Sequence, residues 1–270
     1  MKISAGIKNS FLAFLRAMLQ VFGLAVFVKK DDKHYVSDYF GKSAHKQKDI
    51  RTLPVFGELA MKVITSGRSS LYYDRLFTIY QIVSRLSLIN RKGQPMNLAE
   101  VGVYKGGTSF FIAALAEQLN LPLRLYCFDT FEGHAAEDIN KSVEIAHVPG
   151  AFNDTSFEAV KSYLSIFKNV DIYKGRFQDT SPVLDNAQTH FVHLDMDIYE
   201  PTIFALRFFS ERLVAGGVML LDDYGFETCP GIEKAVKEFS SDNADYFGIP
   251  LMSGQYMFVK INEEKSSKDK

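Results

Sequence analysis

The 270-residue chain has only two cysteines, Cys127 and Cys229, too few for a disulfide framework or a cysteine-built zinc site, and the cytosol is the default expectation. Charge of one sign is also lacking: 31 Lys+Arg against 32 Asp+Glu leave a formal net charge of -1. No bulk field gathers phosphate backbones, so nucleic acid is excluded as the main partner. Repeats and low-complexity stretches are absent, and 47% hydrophobic with 23% charged residues describes an ordinary globular chain. An uninterrupted apolar span is missing as well. The run Phe11 to Val28 is broken by Arg16 and Gln20, and a central Arg costs about 2.5–3.5 kcal/mol on insertion scales. That argues against a transmembrane span, and no clear small-x-small cleavage site marks a signal peptide. Asn9, Arg16, Gln20 and Gly23 fall on one side of a helical wheel and Phe11, Leu15, Met18, Phe22 and Val26 on another. Such an amphipathic helix buries its face against its own domain, against a second subunit in a homo-oligomer, or peripherally at a membrane surface. Packing within protein is the preferred reading.

From residue 97 onward, short apolar runs alternate with helical patterns of about a dozen residues, as β-α units of a parallel sheet do. Strands are expected at Leu98 to Val101, Leu123 to Phe128, Val170 to Tyr173, His190 to Leu194 and Val218 to Leu221. Helices are expected at Thr108 to Leu119, Ser156 to Phe167, Pro201 to Leu213 and Gly231 to Phe239. Ala244 to Ile249 and Gln255 to Ile261 read as a closing antiparallel hairpin. The organisation expected is an amphipathic helix in 1–34, a helical cap in 35–95 with patterns at Phe56 to Ile64 and Tyr73 to Leu88, a doubly wound Rossmann-like α/β domain in 96–261, and a polar tail in 262–270.

Ligands of a doubly wound sheet sit beyond the carboxyl ends of its strands. The first strand ends in Glu100-Val101-Gly102-Val103-Tyr104-Lys105-Gly106-Gly107-Thr108, where glycines let the backbone approach a ligand. Its G-x-x-x-G spacing departs from G-x-G-x-x-G and disfavours a dinucleotide. Asp129 ends the second strand, placed to accept hydrogen bonds from a ribose, and Glu100 offers a neighbouring carboxylate to a cationic ligand group. The structural alternative is that either acid merely caps the helix that follows, but two acids at adjacent strand ends flanking a glycine turn favour the functional reading.

The stretches E-V-G-V-Y-K-G-G-T, F-D-T-F-E-G, H-L-D-M-D-I-Y-E-P-T and L-L-D-D-Y, with the lead-in Tyr72-Tyr73-Asp74-Arg75-Leu76, resemble the macrocin O-methyltransferase (TylF) family of class I S-adenosylmethionine-dependent methyltransferases over roughly residues 70 to 260. The resemblance implies a seven-stranded sheet, S-adenosylmethionine lying over Gly102 and Gly106, Asp129 on its ribose, and an adenine pocket lined from Gly175-Arg176-Phe177-Gln178-Asp179. The cofactor-binding candidates are therefore Glu100, Gly102, Tyr104, Gly106, Thr108, Asp129, Phe177 and Gln178.

Asp195, Asp197, Asp222 and Asp223 end the fourth and fifth strands. Close buried carboxylates repel, so something positive is expected between them. All-oxygen donors without a nearby cysteine favour a hard divalent ion, Mg²⁺ first and Ca²⁺ or Mn²⁺ next, and make zinc a poor fit. The resemblance assigns that ion to Asp195, Asp222 and Asp223, leaving Asp197 as a base or a fourth ligand, and Asp195 can also take part in catalysis. His134 and His147 lie in the long polar segment from Glu132 to Asn153, which has the length of a lid, and either can accept a proton or bind substrate. His193, inside a strand pattern, reads as a hydrogen-bonded core residue, while Tyr199, Glu200 and Pro201 are placed to shape an acceptor pocket.

The expected function is S-adenosylmethionine-dependent, divalent-metal-dependent O-methylation of a hydroxyl on a sugar, a glycosylated natural product or a glycan, with the sugar implied by the resemblance. A catechol-like acceptor and a non-catalytic nucleotide-binding module are the alternatives.

Overall fold

The computed structural model describes residues 49–90 and 93–261; the expectations for residues 1–34, 35–48 and 262–270 lie outside them. Two helices lead, α1 (Phe56–Ser66) and α2 (Tyr73–Ile89). There follow β1 (Met96–Val101), α3 (Gly107–Gln118), β2 (Leu123–Asp129), α4 (Phe157–Leu164), β3 (Val170–Lys174), α5 (Phe177–Thr180), β4 (Thr189–Leu194), α6 (Tyr199–Ser210), β5 (Leu213–Leu221), α7 (Pro230–Asp242), β6 (Tyr246–Pro250) and β7 (Tyr256–Lys260). The seven strands form one sheet in the order β3-β2-β1-β4-β5-β7-β6, parallel through β5 and antiparallel in the last two pairings. This is a Rossmann-like doubly wound sheet closed by a hairpin. Strand order reverses between β1 and β4, so the ends of those strands flank the crevice where such sheets bind ligands.

Because both faces of the sheet are covered, its central strands read as continuous apolar runs. The pleat sends alternate residues to opposite faces. Leu98, Leu125 and Cys127 join α1, α2 and α3 in one core, whereas Ala99, Val101, Tyr126 and Phe128 join α6 and α7 in the other. Helix α3 explains the leading helices. Phe110, Phe111, Ile112, Ala113, Leu115 and Ala116 are all buried, so the helix is apolar around its circumference and needs a second layer outside it. Phe56 of α1 supplies part of that layer, fully buried with ring centroids 5.1 Å from Phe77 and 6.2 Å from Phe111. Burying such a side chain stabilises the fold by about 1.5–3 kcal/mol.

Boundaries shift where local chemistry decides. Ser156 caps α4, its Oγ accepting from the Ala159 N–H at 3.2 Å, and the helix ends at Leu164. The helix expected to reach Leu213 ends at Ser210, because the chain enters β5 at Leu213, well before the apolar run that marks the strand in sequence. Among the described residues, no helix is long and apolar enough to cross a membrane.

Candidate functional site

A cavity of about 310 Å³ opens at the β1/β4 switch point, within the roughly 300–1,000 Å³ typical of ligand pockets. Its wall takes residues from both halves of the sheet: Gly102, Tyr104, Thr108 and Asp129 on one side, Asp195, Asp197 and Asp223 on the other. The two halves meet at Gly102. Its φ of 93° is left-handed, and a Cβ there would stand 1.7 Å from the Asp195 carbonyl oxygen, so only glycine lets β1 turn this close to β4.

On the first side, Asp129 Oδ2 accepts from the Tyr104 N–H at 2.7 Å and Oδ1 from the Phe131 N–H at 2.6 Å. A carboxylate has about four lone-pair sites, and the Val103 backbone also bonds to this one, which still leaves acceptor capacity for a ligand hydroxyl. Burial pushes the Asp129 carboxyl above its usual range, partly offset by those backbone bonds. Thr108 opens α3 and shares a 2.9 Å hydroxyl contact with Ser69, while the Tyr104 hydroxyl donates to Asp154. Phe177 and Gln178 lie on the wall beyond β3. Gln178 donates to Asp138 Oδ1 at 3.1 Å, and Arg176 grips the same carboxylate with Nε at 3.0 Å and Nη2 at 2.5 Å. The buried Oε1 of Gln178 has no hydrogen-bond partner among the described residues, which leaves an acceptor for an amino group.

Two expected cofactor residues stand elsewhere. Glu100 faces protein and not ligand: it is fully buried, receives the Ser109 hydroxyl, and sits 3.1 Å from His193 Nδ1. Its cationic partner is thus a histidine of this chain. Gly106, with φ 83°, caps α3 behind the cavity wall beneath Val160 and Tyr163.

On the second side, Asp195, Asp222 and Asp223 each bring an oxygen within 4.8 Å of the others. Two protein cations share the charge. Arg75 of α2 donates to Asp222 Oδ2, and His193 Nε2 lies 3.6 Å from Asp222 Oδ1, an ion-pair separation too long for a hydrogen bond. Burial opposes charge on His193, yet Asp222 and Glu100 outweigh it and push the imidazole up to about 10, so it is protonated at neutral pH. Gln255 completes the ring with a 2.8 Å bond to Asp222 Oδ1. Asp222 is thereby held below the usual carboxylate range despite complete burial. Asp195 and Asp223 are pushed well above it, by burial first and neighbouring acids next. Five carboxyl groups (Glu100, Asp195, Asp197, Asp222, Asp223) face two cations, and the buried Oδ2 of Asp223 has no hydrogen-bond partner among the described residues. A hard divalent cation fits this oxygen-rich, charge-deficient set.

Asp197 follows β4 with φ 61°, a left-handed conformation that is strained for a residue with a side chain. Burial, then the charge of Asp222, raise its carboxyl to about 7. Over it lies the segment between β2 and α4. His134 Nε2 is 3.2 Å from His147 Nδ1 and 3.8 Å from Asp197 Oδ2. Burial lowers both imidazoles, His134 to about 4, so both are neutral. Glu144 pins the same segment to the start of α6, its Oε1 accepting from the Tyr199 N–H at 2.8 Å. Pro201 reaches the wall, whereas the Tyr199 hydroxyl bonds to Glu238 and Glu200 to Asn140.

Sequence reasoning assigned no role to Arg75, although it sits in the motif quoted from α2, and missed Cys229, whose Sγ is 3.4 Å from His147 Nε2. The positive charge inferred from converging acids is partly supplied by side chains of the protein.

A doubly wound sheet with a glycine turn, a buried aspartate and clustered acids around one cavity at the switch point defines a Rossmann-like domain whose cavity lies where such sheets bind ligands. The O-methyltransferase NovP has this fold, with a TM-score of 0.63 at 23% identity over 72% of this chain and 83% of its own. The chain belongs to the macrocin O-methyltransferase (TylF) family, whose family model matches residues 73–248. Among curated relatives, the 8-demethyl-8-(2,3-dimethoxy-alpha-L-rhamnosyl)-tetracenomycin-C 4'-O-methyltransferase of Streptomyces olivaceus is 31% identical over 51% of this chain and 56% of its own length. The mycinamicin III 3''-O-methyltransferase of Micromonospora griseorubida is 26% identical over 55% and 62%. The chain thus spans a little over half the length of these relatives.

Proposed function

We propose that the protein is an S-adenosylmethionine-dependent O-methyltransferase acting on a hydroxyl of a sugar, carried by a nucleotide, a glycosylated natural product or a glycan, with a divalent cation at Asp195, Asp222 and Asp223. One observation carries this reading: a single cavity joins a ribose-placed carboxylate, Asp129, to the acid cluster across the switch point. The relatives named above support the sugar, since the first is named for a rhamnosylated acceptor.

The bound cofactor supplies an electrophilic methyl carbon on sulfur, and the cation supplies positive charge for the oxygen that loses its proton. The protein's own residues do the rest. Asp129 and Gly102 seat the ribose side, and Gln178 Oε1 accepts from the adenine amino group. Arg75 and His193 keep Asp222 ionised. Asp197 takes the hydroxyl proton on a carboxylate oxygen: its pKa of about 7 suits a base working near neutral pH, whereas His134 at about 4 is a weak acceptor. Most of the remaining acceleration comes from positioning the acceptor oxygen in line with the methyl carbon.

Labelled-methyl transfer onto a panel of nucleotide sugars, glycosides and catechols, with and without Mg²⁺, tests the assignment. Transfer to a sugar hydroxyl that rises with Mg²⁺ is the expected result. Transfer to catechols alone, or a protein that binds NAD but not S-adenosylmethionine, overturns it.

A further inference from the structure

We propose that Asp138, in the segment between β2 and α4, makes the cavity selective for adenine: its carboxylate fixes which end of the Gln178 amide meets the purine. This rests on the S-adenosylmethionine reading of the cavity and adds to it a determinant of base choice.

The backbone around Gln178 is held firmly. Gly175, with φ 142°, turns the chain at the end of β3, and its N–H donates to the Asp129 carbonyl at 2.9 Å. Phe177 follows as a buried anchor, its ring stacked on Phe209 at 5.3 Å and edge-on to Phe128 at 5.1 Å. Gln178 is the next residue of α5 and lines the cavity. The backbone thus sets where the amide stands, not which way it faces. A primary amide is nearly symmetric in shape, with an acceptor oxygen on one prong and a two-hydrogen donor on the other.

Asp138 removes that symmetry. It lies in the turn Ala136–Asp138, and its side chain is 7% exposed. Arg176 donates from Nε to Oδ2 at 3.0 Å and from Nη2 to Oδ1 at 2.5 Å, and Oδ1 also stands 3.1 Å from the Gln178 amide. A carboxylate gripped by a guanidinium only accepts. The amide atom beside it is therefore the nitrogen, since the reversed amide would set oxygen against oxygen. With Nε2 committed to Asp138, Oε1 is left buried and without a partner among the described residues. A buried acceptor that lacks a donor is costly, so Oε1 favours a ligand that brings an N–H.

Adenine carries an amino donor at C6, whereas hypoxanthine and guanine carry an oxo acceptor there. Facing Oε1, the first makes a hydrogen bond and the others bring two acceptors together. An amide able to turn over would serve both kinds of purine and discriminate between neither. The carboxylate that locks it belongs to the same segment as His134 and His147, so base choice depends on a residue from the far side of the cavity wall. Asp138 acts through Gln178 and is a positioning residue.

Calorimetry with S-adenosylhomocysteine and with its deaminated counterpart, S-inosylhomocysteine, reads base choice apart from methyl transfer. The parent chain is expected to bind the adenine compound about tenfold or more tightly than the hypoxanthine one. In Asp138→Asn, whose own amide pairs with either end of Gln178, that ratio falls to about threefold or less. Asp138→Ala, which offers no acceptor, gives the same fall, so either folded variant decides. Gln178→Ala weakens the adenine compound and levels the two. General loosening of the site weakens both compounds alike and leaves their ratio standing, which separates a locked amide from packing. A parent-like ratio in a folded Asp138 variant, or a parent chain that binds both compounds equally, overturns the proposal and leaves the cofactor reading intact. A parent chain that binds neither overturns the cofactor reading, and the role of Asp138 with it.

Discussion

Replacing Arg75 by Met gives the sharpest test of how the acid cluster is neutralised. Its guanidinium, whose side chain is 15% exposed, pairs with a carboxylate that is completely buried, and Arg75 also faces Asp195 and Asp223. Met keeps much of the aliphatic stem and removes the charge. Deleting one partner of a buried pair costs about 3–5 kcal/mol, because the other charge stays behind in a poor solvent. His193 still stands 3.6 Å from Asp222 and Gln255 still donates to it, so the lower part of that range applies, about 3 kcal/mol. With a urea slope of about 2–3 kcal/mol per molar, the midpoint falls by about 1–1.5 M. Two further measurements isolate the cause. Arg75→Met combined with Asp222→Asn should recover most of the loss, since no unpaired charge remains. Magnesium should raise the midpoint of Arg75→Met more than that of the parent chain, because the ion then replaces the missing charge as well as filling its site. A midpoint shift below about 0.3 M, or a double variant as unstable as the single one, would refute this account of the cluster.

Other expectations concern separate parts of the molecule. Asp129→Ala should weaken S-adenosylmethionine binding about tenfold or more by calorimetry, since hydrogen bonds to a charged group contribute about 1.5–3 kcal/mol each; unchanged affinity removes it from the ribose site. Asp223→Asn should abolish magnesium stimulation of transfer while leaving the metal-free protein at least as stable, because it deletes one of several crowded buried acids; retained stimulation excludes Asp223 as a ligand. Removing residues 1–34 should change either oligomeric state by sedimentation or binding to anionic liposomes, and no change in both reduces the segment to local packing.

The sheet was legible in sequence because its central strands are buried on both faces and announce themselves as apolar runs between helical periods. The acids were legible for a related reason: Asp129, Asp195, Asp222 and Asp223 stand where those runs stop, and strand ends are where the fold presents ligands. Glu100 shows what that rule lacks. It lies one residue inside β1, and the two-residue pleat places it on the side of Leu98, towards Ser109 of α3, away from Ala99 and Val101. Counting alternation back from Leu98 would have turned it away from the ligand. No comparable count finds Arg75, whose partner is 147 residues distant, or Cys229, which reaches His147 only when the loops after β2 and β5 fold over one cavity. Such pairings are set by tertiary contacts and leave no local period.

Helix α2 contributes the guanidinium while every acid it answers lies at or after β1, and this gives the leading helices a part in more than packing. During synthesis Arg75 leaves the ribosome well before Asp195, Asp222 and Asp223, so the counter-ion is already part of the emerged chain when the repelling groups arrive. A fragment begun at β1 would keep the glycine turn and all five acids but lose one of the two cations that make their crowding tolerable. The acid-bearing half of such a fragment should stay loosely formed until α2 is added back in trans.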